Sequence, residues 1–390
     1  MQNRCASAFE THFGRPPEIL VRAPGRVNLL GGHTDYNAGY VLPVAVDRAA
    51  WVAVAPIAAR EAHVCALDLE GEVTFSLAAI SPAQGDWADY PRSVAWALRE
   101  RGLALAGMEA LLTSAVPVGA GLSSSAAVEM AFAYAWQQLS GLALDRRELA
   151  LLCQRAESGY VGVNCGVMDQ MASALGVEGH ALLLDCRTLE MESVPLPPGV
   201  AIVVADTGVR RQLASSEYNT RRAQCEQAVR ILRQHLPAVR ALRDVSQADL
   251  EQLRARLPEV VYRRARHVVS DNARVLRAAQ ALREGDVATV GRLMNDCHVS
   301  LRDDYEVSAP ELDVLAEAAW EVDGCYGARL TGAGFGGCIV ALVAADGVPD
   351  FQAHVAAVYE VAFGRRPEIY VCRAADGVSA ESSLSLRGIK

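Results

Sequence analysis

Short apolar runs, separated by polar segments rich in glycine and proline, predict a series of β-strands in the first half of the chain. These strands are predicted at residues 19–23, 40–46, 51–56, 63–67, 73–77, 110–115, 181–185 and 201–206. Apolar positions at helical spacing predict helices at 92–101, from the serines at 123–125 to about Leu139, and from 146 to about Glu157. Asp145 and Glu148 have the spacing of a capping box, which predicts where the last of these helices begins.

The pattern becomes mostly helical after residue 200. Helical patterns begin near Ser215 and continue at about 247–256, 258–283, 286–303 and 310–322. Residues 328–343 then have the pattern of a strand, a glycine-rich loop and a strand, followed by a helix near 350–363 and a strand at 368–372. This order predicts an α+β protein with two domains, residues 1–200 and 201–390. A strand from the second half is free to return to the first domain, and residues 376–390 are expected to be loosely held.

Length and composition agree with two globular domains. The chain has 390 residues, of which 51% are hydrophobic and 21% charged, and this length exceeds the size at which single cores stop growing. A net charge of -9 argues against a nucleic acid or an anionic membrane as the main partner. We recognise neither a signal peptide nor a membrane span, so a cytoplasmic location is expected. The ten cysteines form no CxxC pair and are expected to be reduced and mostly buried, while the oligomeric state cannot be read from the sequence.

A glycine- and serine-rich turn at the start of the helix after the strand 110–115 has the chemistry of a phosphate-binding loop. Glycines allow a ligand to approach the main chain, and a helix start offers unpaired N–H groups and hydroxyls to phosphate oxygens. The residues concerned are Gly119, Ala120, Gly121, Leu122, Ser123, Ser124 and Ser125. The alternative is an ordinary glycine turn followed by a serine N-cap.

Two further places carry candidate chemistry. Seven polar side chains crowd the loop between the first two predicted strands, and they suit a pocket for a polyol, although an ordinary β-connection with its own hydrogen bonds is the alternative. They are Arg26, Asn28, His33, Thr34, Asp35, Tyr36 and Asn37. The second place is Asp169, which lies in a glycine-containing loop or at a new helix start and is either a reactive carboxylate or an N-cap.

Five segments resemble motifs of the galactokinases, which belong to the GHMP small-molecule kinases, and they occur in the order of that family. They are GRVNLLGGHTDYNAGYVLP at 25–43, PVGAGLSSSAA at 117–127, NCGVMDQ at 164–170, SSEYNTRR at 215–222 and LTGAGFGGC at 330–338. The resemblance implies a two-domain α+β fold with ATP and a sugar bound in the cleft between the domains. It implies transfer of the γ-phosphoryl group of ATP to the anomeric C1 hydroxyl of D-galactose.

The same resemblance implies a role for each matching residue. Asp169 would be the catalytic base that accepts the proton of the C1 hydroxyl, with Arg26 beside it and near the transferring phosphoryl group. The triphosphate would lie on the loop Gly119 to Ser125, and Mg²⁺ on Ser125 and Glu157, which are hard oxygen ligands. The sugar would meet residues of the polar loop and of the fourth segment, namely His33, Thr34, Asp35 and Tyr218. Trp87 and Tyr90 are candidates for bordering the adenine.

Position 32 departs from the family, which usually has GEHTDY where this chain has GGHTDY. The missing glutamate is expected to meet the C6 hydroxyl of the sugar, so Gly32 raises the question of which sugar binds. Galactose remains one interpretation, and a sugar with a carboxylate at C6, such as galacturonate, is the other, with Arg211 as a candidate cation. A third interpretation is a sensor that binds sugar and ATP without turnover, although such a protein has no need of Asp169.

Overall fold

The computed structural model describes residues 1–69, 71–210 and 214–382. The strands in these ranges are β1 (Ile19–Asn28), β2 (Tyr40–Val41), β3 (Pro43–Ile57), β4 (Glu61–Ala66), β5 (Gly71–Ser76), β6 (Gly107–Ser114), β7 (His180–Asp185), β8 (Met191–Pro195), β9 (Val200–Asp206), β10 (Cys325–Thr331), β11 (Cys338–Ala344), β12 (Glu368–Cys372) and β13 (Ser379–Ser382).

Helices cover the sheets that these strands form. The α-helices in the described ranges are α1 (Gln2–Phe13), α2 (Asp89–Glu100), α3 (Ser124–Ser140), α4 (Arg146–Ala156), α5 (Met168–Leu175), α6 (Ala214–Leu232), α7 (Gln247–Gln252), α8 (Glu259–Arg283), α9 (Val287–Asp303), α10 (Pro310–Trp320) and α11 (Val348–Phe363). Short 3₁₀ turns occur at Asp35–Asn37, Leu242–Asp244, Arg254–Arg256 and Ala345–Gly347, and a π-helical turn, Glu157–Val161, extends α4.

The six-stranded sheet of the N-terminal half has the order β13-β1-β3-β6-β4-β5. Strand β1 pairs with β3 from Ile19 opposite Val54 to Asn28 opposite Pro43, with a shift of register between Pro24 and Arg26. The bulge lets the strand continue past Pro24, which cannot donate a ladder hydrogen bond. Residues 24–28, which the sequence pattern assigned to a loop, therefore belong to β1, and Arg26 projects from a strand.

Helices α3 and α5 pack on this sheet, and both lie against β1. The apolar face of α3 is rich in alanine, which allows close approach to the strands, and Met130, Phe132 and Trp136 are fully buried there. The predicted capping box is confirmed, because Asp145 accepts from the backbone N–H of Glu148 at the start of α4. Because β1, α3 and α5 are neighbours, polar side chains at their ends can meet.

The second half contributes an antiparallel four-stranded sheet with the order β10-β11-β9-β12, against which α9 and α10 pack. Strands β2, β7 and β8 form a small third sheet. The α+β class expected from the sequence is confirmed. Most of the predicted strands and helices are found, although the helix predicted at 247–256 ends at Gln252 and is followed by a 3₁₀ turn.

Three elements were absent from the sequence prediction, namely α1, β8 and β13. The expectation that the tail is loosely held is wrong for residues 379–382, because β13 pairs antiparallel with β1 from Ser382 opposite Ile19 to Ser379 opposite Arg22. Val378, just before it, is fully buried. A strand of the C-terminal half thus completes the N-terminal sheet, while residues 383–390 lie outside the described ranges.

Among the described residues, no α-helix combines the length and the apolar character that crossing a membrane requires. The cytoplasmic location stays a prediction.

Candidate active site

The glycine- and serine-rich loop connects β6 to α3 and turns sharply before the helix. Gly119, Gly121 and Ser123 all have positive φ, at 68°, 81° and 58°. A Cβ at Gly121 would lie 2.8 Å from the carbonyl oxygen of Thr331, so only glycine allows this loop to approach the glycine-rich loop 331–337 of the C-terminal half so closely. The structure therefore brings two glycine loops, far apart in sequence, against each other.

Arg26 and Asp169 form a two-pronged ion pair beside this loop. Arg26 donates from Nε to Oδ1 and from Nη2 to Oδ2 of Asp169, each over 2.8 Å. Its Nη1 donates over 2.6 Å to the carbonyl oxygen of Gly121. Arg26 is 4% exposed, whereas the side chain of Asp169 is 28% exposed. The guanidinium thus fixes the orientation of a carboxylate that stays open to the cavity.

Ser123 completes the support of this carboxylate. Its hydroxyl donates to Oδ2 of Asp169 over 2.5 Å instead of capping α3. Asp169 is the second residue of α5 and follows the N-cap Val167, so the sequence alternative of an N-cap aspartate is not what the structure has. Two side chains from separate segments, Arg26 and Ser123, therefore hold Asp169 at the start of α5.

Glu157 lies deeper in the same region, at the end of α4. Its Oε2 accepts from Nε2 of Gln170 over 2.7 Å and from the thiol of Cys165 over 3.4 Å. Burial and the charge of Asp169 raise the pKa of Glu157, and a hydrogen bond from the hydroxyl of Ser125 opposes that shift. Ser125 and Glu157 are therefore in contact. A buried carboxylate next to a hydroxyl is a donor set that fits a hard divalent cation such as Mg²⁺.

Gln170 connects Glu157 to a second buried carboxyl group. Its Nε2 also lies 3.1 Å from Oε2 of Glu129, which is fully buried on α3. Burial, followed by the charge of Glu157, raises the pKa of Glu129 well above its ordinary value. The burial of Glu129 and the charge of Glu157 thus both disfavour the ionised form of Glu129.

Asp35 and Gly166 meet on the other side of Asp169. A Cβ at Gly166 would lie 1.9 Å from Oδ2 of Asp35, so any other residue at 166 would displace the carboxylate. Burial and the charge of Asp169 raise the pKa of Asp35 to about 6. Asp35 and Asp169 line the same cavity, so two carboxyl groups lie on its walls.

His33 and Thr34 mainly shape the loop that carries Asp35. Nε2 of His33 lies 3.1 Å from the carbonyl oxygen of Ala333 and must carry the proton, so Nδ1 accepts from the hydroxyl of Tyr36 over 2.8 Å. Burial, followed by the nearby His267, lowers the pKa of His33 to about 3, and the ring is neutral. Thr34 is fully buried and its hydroxyl lies 2.7 Å from the carbonyl oxygen of Tyr40.

Gly32 faces the protein interior. Its N–H donates to Asp271 and its carbonyl oxygen accepts from His267. A Cβ at this position would lie 2.7 Å from Nη2 of Arg329, a fully buried residue whose Nη1 and Nη2 have no hydrogen-bond partner among the described residues. The guanidinium occupies the space beside position 32, so the expected contact of Gly32 with the sugar gains no support from the geometry.

Two cavities meet at the Arg26–Asp169 pair. One, of about 440 Å³, lies between the two glycine loops and is lined by Gly119, Gly121, the three serines and residues 331–337. The other, of about 420 Å³, is lined by His33, Asp35, Glu157, Cys165, Gly166, Tyr218 and neighbouring residues. Both cavities are lined by Arg26, Asp169, Gly119 and Tyr90. A ligand bound in the first cavity and a ligand bound in the second would therefore approach each other beside Asp169.

Most of the predicted site residues lie at these cavities, but some do not. Thr34 and Gly32 line neither cavity, and Ala120 and Leu122 are fully buried beneath the loop. Trp87 lines neither cavity either, whereas Tyr90 lines both.

Several residues at the site received no role from sequence reasoning, and Arg210 and Gly166 are among them. Arg210 lines the first cavity, and it pairs with Asp206 through both of its Nη atoms, at 2.8 and 2.5 Å, and donates from Nε to the carbonyl oxygen of Val118. Gly166 was also given no role, although it lies in the segment NCGVMDQ, whose resemblance to a family motif could have drawn attention to it. Arg211 lies outside the described residues.

Comparisons with known proteins assign the family. Residues 7–56 match the galactokinase galactose-binding signature, residues 89–177 the N-terminal domain of GHMP kinases, and residues 278–360 their C-terminal domain. A galactokinase from Roseiflexus sp. (strain RS-1) is 54% identical over 370 residues, which is 95% of each chain. The chain belongs to the galactokinase family.

Further comparisons agree with this assignment to the galactokinase family. The galactokinase of Chloroflexus aggregans (strain MD-66 / DSM 9485) is 51% identical over 374 residues, 96% of each chain. The crystal structure of Lactococcus lactis galactokinase complexed with galactose matches with a TM-score of 0.93 and 35% identity, over 96% of this chain and 98% of that one. The mevalonate kinase of Methanococcus jannaschii, at 16% identity and a TM-score of 0.64 over 93% of this chain and all of that one, shares the fold. The family expected from the five segments is thus confirmed.

Proposed function

We propose that the protein transfers the γ-phosphoryl group of ATP to the anomeric C1 hydroxyl of D-galactose, giving galactose 1-phosphate and ADP. The observation that carries this proposal is the Arg26–Asp169 pair, which lies where the two cavities meet. A phosphoryl donor in one cavity and a hydroxyl acceptor in the other would have a carboxylate and a guanidinium at their junction. Membership of the galactokinase family supports the same reaction.

Asp169 acts as the general base. Its carboxylate accepts the proton of the C1 hydroxyl, the hydroxyl oxygen bonds to the γ-phosphorus, and the bond from that phosphorus to the β,γ-bridging oxygen breaks, leaving ADP. Arg26 offsets the negative charge that spreads over the phosphoryl oxygens in the transition state. Because Arg26 also fixes Asp169, one side chain orients the base and stabilises the transferring group.

The loop from Gly119 to Ser125 holds the triphosphate. Its N–H groups at the start of α3 and its hydroxyls face the first cavity, which is also lined by Arg210, whose charge is paired with Asp206. Ser125 and Glu157 fit Mg²⁺, and when bound such an ion neutralises charge on the phosphate oxygens. Gln170 keeps Glu157 in place through its amide.

The sugar lies in the second cavity, where Asp35 and Tyr218 hydrogen-bond its hydroxyls and His33 forms part of the wall. A carboxylate at C6 finds little there to compensate its charge. Among the described residues lining this cavity, Arg26 carries a positive charge but is committed to Asp169, and His33 is neutral. Galactose is therefore favoured over galacturonate.

The variant Asp169→Asn distinguishes a kinase from a sensor that binds sugar and ATP without turnover. The amide cannot accept the C1 proton, so ADP release with galactose should fall by about 10²–10⁴-fold, while the binding constant for ATP should change little. Calorimetry with ATP and a coupled assay for ADP measure the two quantities. Asp350→Asn, an exposed aspartate on α11, is the matched control and should behave like the wild type. Equal rates for wild type and Asp169→Asn would contradict the proposal.

A further inference from the structure

Three side chains with metal-binding atoms converge on the outer face of the six-stranded sheet. His12, Cys65 and Glu72 each offer one ligand atom, and these atoms all lie within 4.8 Å of one another. Nε2 of His12 already lies 2.8 Å from Oε1 of Glu72. Their positions in the chain form no recognisable metal motif, which is why the sequence analysis did not single out this cluster.

The secondary structure holds the three residues together. Cys65 on β4 is directly opposite Glu72 on β5 in the antiparallel register, so the two side chains leave the same face of the sheet. Alternating burial along β4 places Ala62, Val64 and Ala66 in the core, and Cys65 on the other face.

Helix α1 brings the third side chain to this face. Cys5 and Phe9 of α1 are fully buried against the sheet, and they fix the helix so that His12, in its last turn, reaches Glu72. The cluster therefore joins α1 to the hairpin of β4 and β5, which the ion pair between Arg4 and Asp68, 2.9 Å apart, also connects.

The donor set selects a particular class of cation. An imidazole nitrogen, a thiolate sulfur and a carboxylate oxygen suit Zn²⁺ and similar divalent transition metals, whereas Mg²⁺ prefers oxygen atoms only. Zinc bonds of about 2.0–2.3 Å place ligand atoms roughly 3.3–3.8 Å apart. Ligand atoms that now lie up to 4.8 Å apart therefore need to approach each other by about 1–1.5 Å. His12 and Glu72 are exposed and Cys65 is half-buried, so small side-chain rotations suffice.

We propose that His12, Cys65 and Glu72 bind a divalent transition metal, with Zn²⁺ as the expected ion and water completing its coordination. Binding displaces the proton of the Cys65 thiol, and the thiolate, the neutral imidazole and the carboxylate become ligands. The ion cross-links α1 to the hairpin of β4 and β5. Without a metal, His12 and Glu72 form a surface contact of 2.8 Å, and such surface pairs contribute little to stability.

Titration with Co²⁺ tests the proposal, because a cobalt–thiolate bond gives a charge-transfer absorption that other ligands do not. The full-length protein should show this absorption with one equivalent of Co²⁺, and Zn²⁺ should abolish it by displacement. Cys65→Ser should remove the charge-transfer band, and His12→Gln should weaken Co²⁺ binding by at least about tenfold.

His354→Gln is the matched control, since His354 and Glu321 form another exposed histidine–glutamate pair at 3.1 Å on other helices. This variant should bind Co²⁺ like the wild type. In parallel, Zn²⁺ should raise the melting temperature of the wild type and of His354→Gln but not that of Cys65→Ser. A band that persists in Cys65→Ser, or a wild type without the band, would overturn the proposal.

Discussion

At the scale of single residues, the chemistry of the site depends on three charged side chains that lie close together. Arg26, Asp35 and Asp169 come from β1, a 3₁₀ turn and α5, and the last two are carboxylates that face a common cavity. The family motifs in the sequence pointed to all three residues. The contact of Gly166 with Asp35 was not predictable, because it depends on how two loops that are distant in the sequence pack against each other.

The raised pKa of Asp35 has a consequence for stability. Its pKa is about 6 in the folded protein, against an ordinary value of 3.8, because of burial and the charge of Asp169. The folded state therefore holds more protons than the unfolded state between these values, and the free energy of unfolding falls as pH rises through about 6. Below about pH 4 this stabilising contribution is fully present.

Asp35→Asn removes this pH dependence. Between about pH 5 and pH 7.5 the wild type should lose about 1.4 kcal/mol more of its free energy of unfolding than the variant does, because about one pH unit of that interval lies below the folded pKa of Asp35. Urea unfolding at the two pH values measures the difference, and Asp350→Asn, the exposed control, should follow the wild type. Parallel curves for wild type and Asp35→Asn would show that residue 35 does not titrate in this range.

At the scale of elements, the approach of the two glycine loops decides whether phosphate can be held. Gly121 and Gly141 flank α3 and both have positive φ, at 81° and 63°. A Cβ at Gly121 would meet the carbonyl oxygen of Thr331 at 2.8 Å, whereas a Cβ at Gly141 would have no atom of the described residues within 4 Å. A substitution at Gly141 therefore tests backbone strain alone, whereas a substitution at Gly121 adds a collision between the two loops.

Gly121→Ala should lower kcat/KM for ATP by about 100-fold, since the loop must move by a sizeable part of 1 Å to relieve the collision. Gly141→Ala should cost about 1–2 kcal/mol of stability through backbone strain and leave kcat/KM unchanged. Steady-state kinetics with denaturant unfolding measure both. Similar kinetic losses in the two variants would show that the approach to Thr331 has no special role.

The elements themselves were largely predictable from periodicity and capping, as α3 and α4 illustrate. The exceptions have physical causes. Residues 24–28 contain proline and glycine, which favour a loop locally, but the bulge allows β1 to continue and pair with β3. Strand β13 is four residues long and gains its order from pairing with β1, which the local sequence cannot reveal.

At the scale of the whole molecule, the C-terminal segment supports both elements that carry the ion pair. Strand β13 pairs with β1, which carries Arg26. Just before it, the N–H groups of Gly377 and Val378 donate to the carbonyl oxygens of Gly176 and Ser173 at the end of α5, each over 2.8 Å. This connection between the two ends of the chain could not be derived from the sequence, since sheet order depends on packing between distant segments.

Val378→Ala tests the contribution of this segment. Val378 is fully buried, so loss of two methyl groups should lower the free energy of unfolding by about 1.5–3 kcal/mol. Val361→Ala, at a site that is 89% exposed on α11, should change it by no more than about 0.5 kcal/mol. Equal effects in urea unfolding would mean that the C-terminal segment is not part of the cooperative core.

The position of the transferred phosphate is the most direct test of the mechanism. Phosphorus NMR of the product from galactose and ATP should show coupling between phosphorus and the anomeric proton, and 1-deoxygalactose, which lacks the C1 hydroxyl, should give no phosphorylated product. Phosphate on another hydroxyl, or phosphorylation of 1-deoxygalactose at a comparable rate, would contradict transfer to C1 beside Asp169.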